Sequence, residues 1–207
     1  MFVKICGIKT LAAAQTAVTF GADFIGFIFA ESSRKVHPEI VCEIAGNLPA
    51  HVKKVGVFAN QTEQEVIRSA EIAGLDYIQL HGNESASFAE RMPLPVIKAF
   101  AIQSEKDLES LHDYPADFLL VDLPKGNSGK GMTLDWDMLR KAGLPKEKIF
   151  LAGGLTSKNV GKAITAVSPF AVDVASGVET NGLKDAAKIK AFITKAKKYS
   201  RKRGINR

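Results

Sequence analysis

Cys6, Arg34, His81, Asp122 and Asp173 offer a thiol, a guanidinium, an imidazole and two carboxylates at or just beyond the ends of short apolar runs. A thiol and a carboxyl can divide the work of an isomerisation, one taking a proton from carbon while the other gives one to oxygen. A guanidinium grips carboxylate or phosphate through paired N–H donors. Two glycine-bearing stretches accompany them: "LAGGL" (151–155), with Gly153 and Gly154, and "VASGVE" (174–179), with Ser176 and Gly177. Backbone N–H groups exposed in such turns can cradle a phosphate.

Each of these residues also has a plainer reading. Cys6 fits a small buried hydrophobe, and Cys42, within the helical run "EIVCEIAG", reads as core. His81 fits a satisfied polar residue, Asp122 a loop cap, Arg34 a solvated residue of "ESSRKVHPE", and the glycines simple turns. The loop "KGNSGKGMTLDW" (125–136), with three glycines, reads as a mobile lid. It is not a nucleotide P-loop, because Lys130 is followed by glycine rather than Ser or Thr. With no HExxH, paired CxxC or acidic cluster, no metal site is expected.

What positions these groups is a strict alternation of short strands and helices. The apolar runs 2–6, 23–29, 52–58, 77–81, 96–101, 118–122, 149–153 and 170–175 read as buried strands. Helical spacing fills 10–20, 38–48, 62–74, 84–92, 104–114, 135–143, 157–167 and 183–199. Alternation of this kind gives parallel strands joined by helical crossovers. Eight such units close naturally into an α/β fold, a single-domain (β/α)8 barrel spanning 1–207. An open doubly wound sheet is the competitor, but it would gather polar strand ends at one switch point. In a barrel, every strand end named above, with Asn60 among them, faces one mouth.

The 207 residues carry a formal charge of +6, yet from Lys195 "KAKKYSRKRGINR" holds seven Lys or Arg and no acid. The rest is nearly neutral, so the basicity belongs to a tail, read as a solvated helix end or extension. Nucleic-acid binding is not expected of it, since no run of aromatics interleaves the charges. No apolar run spans a bilayer and no secretory signal is visible, so a cytoplasmic location is expected. Two cysteines do not make a disulfide scaffold.

Together the segments "KICGIKT", "GADFIGFIFAESSRKVHPE", "VGVFAN", "IQLHGNE", "VIKAF", "LLVD", "LAGGL" and "VDVASGVETNGLKD" resemble, in order, the phosphoribosylanthranilate isomerase family of tryptophan biosynthesis. The resemblance implies a cofactor-independent Amadori rearrangement of N-(5-phosphoribosyl)anthranilate. It makes Cys6 the general base and Asp122 the general acid. Arg34 would hold the anthranilate carboxylate, His81 and Asp173 would line the site, and the backbone of Gly153, Gly154, Ser176 and Gly177 would bind phosphate. A phosphosugar carrying an anthranilate group is the implied partner; monomer and weak homodimer both stay open. The loop departs from the family pattern at Lys130 and Leu134. Related barrels that isomerise a histidine precursor or form indole-glycerol phosphate are the competing enzymes. A non-catalytic barrel docking nucleic acid by its tail is the competitor of another class.

Overall fold

The computed structural model describes residues 1–109, 111, 113–124 and 134–201. Eight parallel strands form a closed barrel in sequential order: β1 (Phe2–Cys6), β2 (Phe24–Ile28), β3 (Lys53–Phe58), β4 (Tyr77–Leu80), β5 (Val96–Ala101), β6 (Phe118–Asp122), β7 (Ile149–Leu151) and β8 (Ala171–Val174). Closure of β8 onto β1, with Lys4 opposite Asp173, excludes the open sheet. A short antiparallel hairpin, β9 (Glu179–Thr180) and β10 (Leu183–Lys184), follows β8 and shortens the front of the last predicted helix. Asp185 then accepts from the Lys188 N–H and starts that helix.

The crossover helices are α1 (Leu11–Thr19), α2 (Pro38–Gly46), α3 (Glu63–Ala73), α4 (Ala86–Glu90), α5 (Glu105–Glu109), α6 (Trp136–Lys141), α7 (Val160–Val167) and α8 (Ala186–Arg201). Their starts follow local chemistry. Thr10 accepts from the Ala13 N–H, and Thr62 with Glu65 forms a reciprocal capping box. Cys42 is exposed, contrary to the core reading. On α2 the buried residues are Val41 and Ile44, and one further residue turns a side chain about 100° away from Val41, onto the solvent face.

Successive strand residues face opposite sides, so the sheet builds two cores. The outward set, with Val3, Ile5, Ile25, Phe27, Ile78 and Leu80, packs under the helices. The inward set is aromatic at the N-terminal end, where Phe24 meets Phe2, Tyr77 and Phe150 edge-on with centroids 5.2–6.1 Å apart. Phe150 is fully buried, and burial of such a side chain contributes roughly 1.5–3 kcal/mol. Above this plug the inward positions turn polar, which carries the barrel axis from apolar floor to reactive mouth.

The first part of the basic tail is structural. Ala196 on α8 is fully buried, and the Tyr199 ring lies so close to Gly161 that a Cβ there would stand 2.4 Å from it. Residues 202–207 and the lid stretch 125–133, with Lys130, lie outside the described residues. From that loop Leu134 is buried beside Gly153 and Leu123. Among the described residues, no helix is long and apolar enough to cross a membrane.

Candidate active site

Cys6 and Asp122 close strands β1 and β6, both inward, so the barrel turns their thiol and carboxyl toward one mouth. Cys6 is 6% exposed, whereas the Asp122 side chain keeps 20% of its surface. His81, one residue beyond β4, joins them, its Nε2 3.9 Å from Asp122 Oδ2. Gln79 stands one inward step below, its Nε2 3.0 Å from His81 Nδ1. An amide N–H donated to Nδ1 leaves the imidazole proton on Nε2, the nitrogen that faces Asp122.

The protonation states follow from burial. Desolvation raises the Asp122 carboxyl to about 6, and the Asp173 carboxylate adds to it. The Leu123 N–H, donating to Oδ1 at 2.7 Å, Lys4 and the Gly153 N–H work in the opposite direction. Asp122 is thereby a carboxyl that holds its proton far above the ordinary range, as a general acid needs. Cys6 moves upward too. Burial is the leading cause, opposed by Lys4 and Lys184 and reinforced by Asp173. Burial outweighs the two lysines, so the thiol is favoured over the thiolate at Cys6.

Beside Cys6, Arg34 extends from the loop after β2. Its Nε and Nη2 donate to the two carboxylate oxygens of Glu179 at 2.8 and 2.7 Å. The solvated reading of Arg34 is thus replaced by a fixed fork, leaving Nη1 outside that pairing. Lys184 Nζ donates to the same Glu179 at 2.6 Å and to the Ala175 carbonyl at 2.9 Å. The hairpin β9–β10 sets Glu179 and Lys184 opposite each other in its register.

Across the mouth, Gly153, Gly154, Ser176 and Gly177 line one cavity together with Asp122 and Asp173. Gly177 is required there, since a Cβ would lie 1.9 Å from the Leu155 carbonyl oxygen. Gly153 and Gly154 have φ of +80° and +67°, a turn that favours glycine. Asn159 secures it by donating to the Gly154 carbonyl at 2.9 Å while accepting from the Thr156 N–H. Gly153 N–H itself is directed at Asp122. Asn60, also at the mouth, instead serves the neighbouring loop: its N–H donates to Glu84 and its side-chain oxygen accepts from Asn83.

Residues 3–195 match the family model described as N-(5'phosphoribosyl)anthranilate (PRA) isomerase. The chain belongs to this isomerase family. An N-(5'-phosphoribosyl)anthranilate isomerase of Listeria monocytogenes serotype 4a is 48% identical over 199 residues, covering 95% of this chain and 98% of that one. The crystal structure of phosphoribosyl anthranilate isomerase from Thermotoga maritima superposes with a TM-score of 0.87 at 38% identity, over 96% of this chain and 99% of that one. A further crystal structure of such an isomerase, in complex with reduced 1-(o-carboxyphenylamino)-1-deoxyribulose 5-phosphate, gives 0.85 at 37% identity, over 96% and 99%. 3-Hexulose-6-phosphate synthase from Salmonella typhimurium, 15% identical with a TM-score of 0.71, shares the fold alone.

All nine site residues read from the sequence of this isomerase-family chain fall at the C-terminal mouth or directly beneath it. Asp173, 8% exposed, lies beneath the mouth and is paired with Lys4. Three charged residues of the site were not foreseen: Lys4, Glu179 and Lys184. Glu179 and Lys184 sit inside the quoted "SGVETNGLK", where a five-residue spacing across Asn181-Gly182 signals a hairpin that turns both side chains to one side.

Proposed function

We propose that this chain catalyses the Amadori rearrangement of N-(5'-phosphoribosyl)anthranilate to 1-(2-carboxyphenylamino)-1-deoxyribulose 5-phosphate, with Cys6 as base and Asp122 as acid. The observation that carries the assignment of roles is the pairing of a thiol and a carboxyl, closing β1 and β6, at one mouth; burial raises the proton affinity of that carboxyl. Asp122 gives its proton to the furanose ring oxygen as the C1–O bond breaks, leaving an iminium at C1. The Cys6 thiolate takes the C2 proton, and the electrons of that bond form the C1–C2 double bond of an enolamine. Tautomerisation of the enolamine gives the ketone. The ligand held by the similar crystal structure, a reduced form of the product, supports this substrate class.

Arg34 receives the anthranilate carboxylate on its Nη1 edge, with Glu179 holding the other edge still. The backbone of Gly154, Ser176 and Gly177, with Gly153 at the turn, receives the phosphate. His81, its Nε2 3.9 Å from Oδ2, faces the Asp122 carboxyl. On this reading the chain is a cytoplasmic small-molecule isomerase acting on a phosphosugar. The test is the decay of anthranilate fluorescence from freshly made phosphoribosylanthranilate on addition of the purified chain. Rapid decay is expected; an inert, well-folded protein would end the proposal. Arg34→Met keeps the stem beside Gly7 but removes the charged fork, and is expected to raise KM about 10- to 100-fold with kcat within a few-fold. Steady-state kinetics check this, and an unchanged KM would put the carboxylate elsewhere.

A further inference from the structure

Lys4 is fully buried at the centre of the barrel, an unusual place for an ammonium. Its Nζ donates to Asp173 Oδ1 at 3.0 Å across the seam where β8 closes on β1. Lys4 and Cys6 are both inward residues of β1, so their side chains stand one above the other along the axis. The residue opposite Cys6 is Gly26. A Cβ at Gly26 would lie 2.8 Å from Cys6 Sγ and 3.2 Å from Lys4 Cε, so any side chain there would wedge into the space where thiol and lysine stem meet. An ammonium has three N–H donors, and Asp173 takes one. The Cys6 thiol stands above Lys4, one inward step along β1.

We propose that Lys4 is a positioning residue for the base: from inside the barrel its ammonium is the counter-charge against which the Cys6 thiolate forms. The inference rests on Cys6 being the base. The charges facing Cys6 are Lys4 from its own strand, Asp173 from β8, Lys184 from β10 and Arg34 from the loop after β2. Those facing Lys4 are Asp173, Cys6 and Asp122. The Lys4–Asp173 pair is thus an oriented dipole under the site. Its positive end favours charge on sulfur, and its negative end favours the proton on Asp122. Lys184 and Arg34 are both engaged by Glu179, whereas Lys4 is paired with Asp173.

The experiment is a pH titration of the thiolate by its ultraviolet absorbance in the full chain carrying Cys42→Ser, so that Cys6 alone reports. Lys4→Met is expected to move the midpoint upward by at least about one pH unit, about tenfold less thiolate at a given pH. Lys4→Arg keeps the charge and is expected to restore the midpoint to near wild type. A folded Lys4→Met protein with an unmoved midpoint would overturn the inference. Should that variant not fold, the wild-type chain gives the reading: the 15N signal of the Lys4 ammonium must shift as Cys6 titrates, and a constant signal would overturn the inference equally. The titration needs no substrate. A Cys6→Ala protein that still turned over would remove the base assignment and leave the measured thiol–lysine coupling standing.

Discussion

Asp122→Asn is expected to lower kcat/KM by about 10²- to 10⁴-fold, the range of a positioned general acid, while making the folded protein more stable at pH 8. Asparagine keeps the shape but has no proton to give the ring oxygen. The stability gain follows from linkage. The folded pKa of about 6 lies above the ordinary aspartate value. The contribution of Asp122 to stability is therefore fully present below the unfolded value and is lost as pH rises through about 6. Above that point the wild-type chain confines a carboxylate in a site that disfavours it, at a cost on the order of 1–3 kcal/mol. Thermal unfolding of both proteins at pH 4 and pH 8 checks this, the difference appearing at pH 8 alone. A variant that is both slow and less stable at pH 8 would mean that Asp122 is held as a carboxylate.

Cys6→Ala is expected to reduce turnover by about 10²- to 10⁴-fold with KM nearly unchanged, because the thiol touches only the C2 proton that moves. In the proposed arrangement the substrate grips lie elsewhere, at Arg34 and in the turns after β7 and β8. Cys6→Ser should fare little better, since a hydroxyl in the same buried position ionises far less readily than a thiol. Circular dichroism and steady-state kinetics on both variants check the claim. A rise in KM with kcat preserved would recast Cys6 as a binding residue.

The fold was legible because its signals are local and repeated. Runs such as "FLLVD" and caps such as Thr62 with Glu65 can be read without knowing what surrounds them. Strand ends were legible for the same reason, and in a closed barrel they converge by topology, which brought Cys6, His81 and Asp122 together from three parts of the chain. What could not be read was the direction and company of charged side chains. Lys4 in a strand looks like a solvent-facing residue until β8 closes against β1 and sets Asp173 opposite it. Glu179 and Lys184 depend on a two-residue hairpin that the helical spacing of 183–199 concealed. Cys42 was misplaced by one residue of helical phase. The balance at the thiol could not be read either, since burial outweighs Lys4 and Lys184 at Cys6.

These environments set the acid below the base: Asp122 at about 6 and Cys6 above its ordinary value. The reactive form, thiolate with protonated carboxyl, is then a minor tautomer of the form that dominates at neutral pH, and its share is constant between the two values. The dependence of wild-type kcat/KM on pH tests the acid–base division most directly. A level profile is expected from about 6 up to the raised thiol value, with declines on either side. A fall of about tenfold per pH unit beginning at 6 would contradict it, because Asp122 would then be working without a titrating thiol at Cys6.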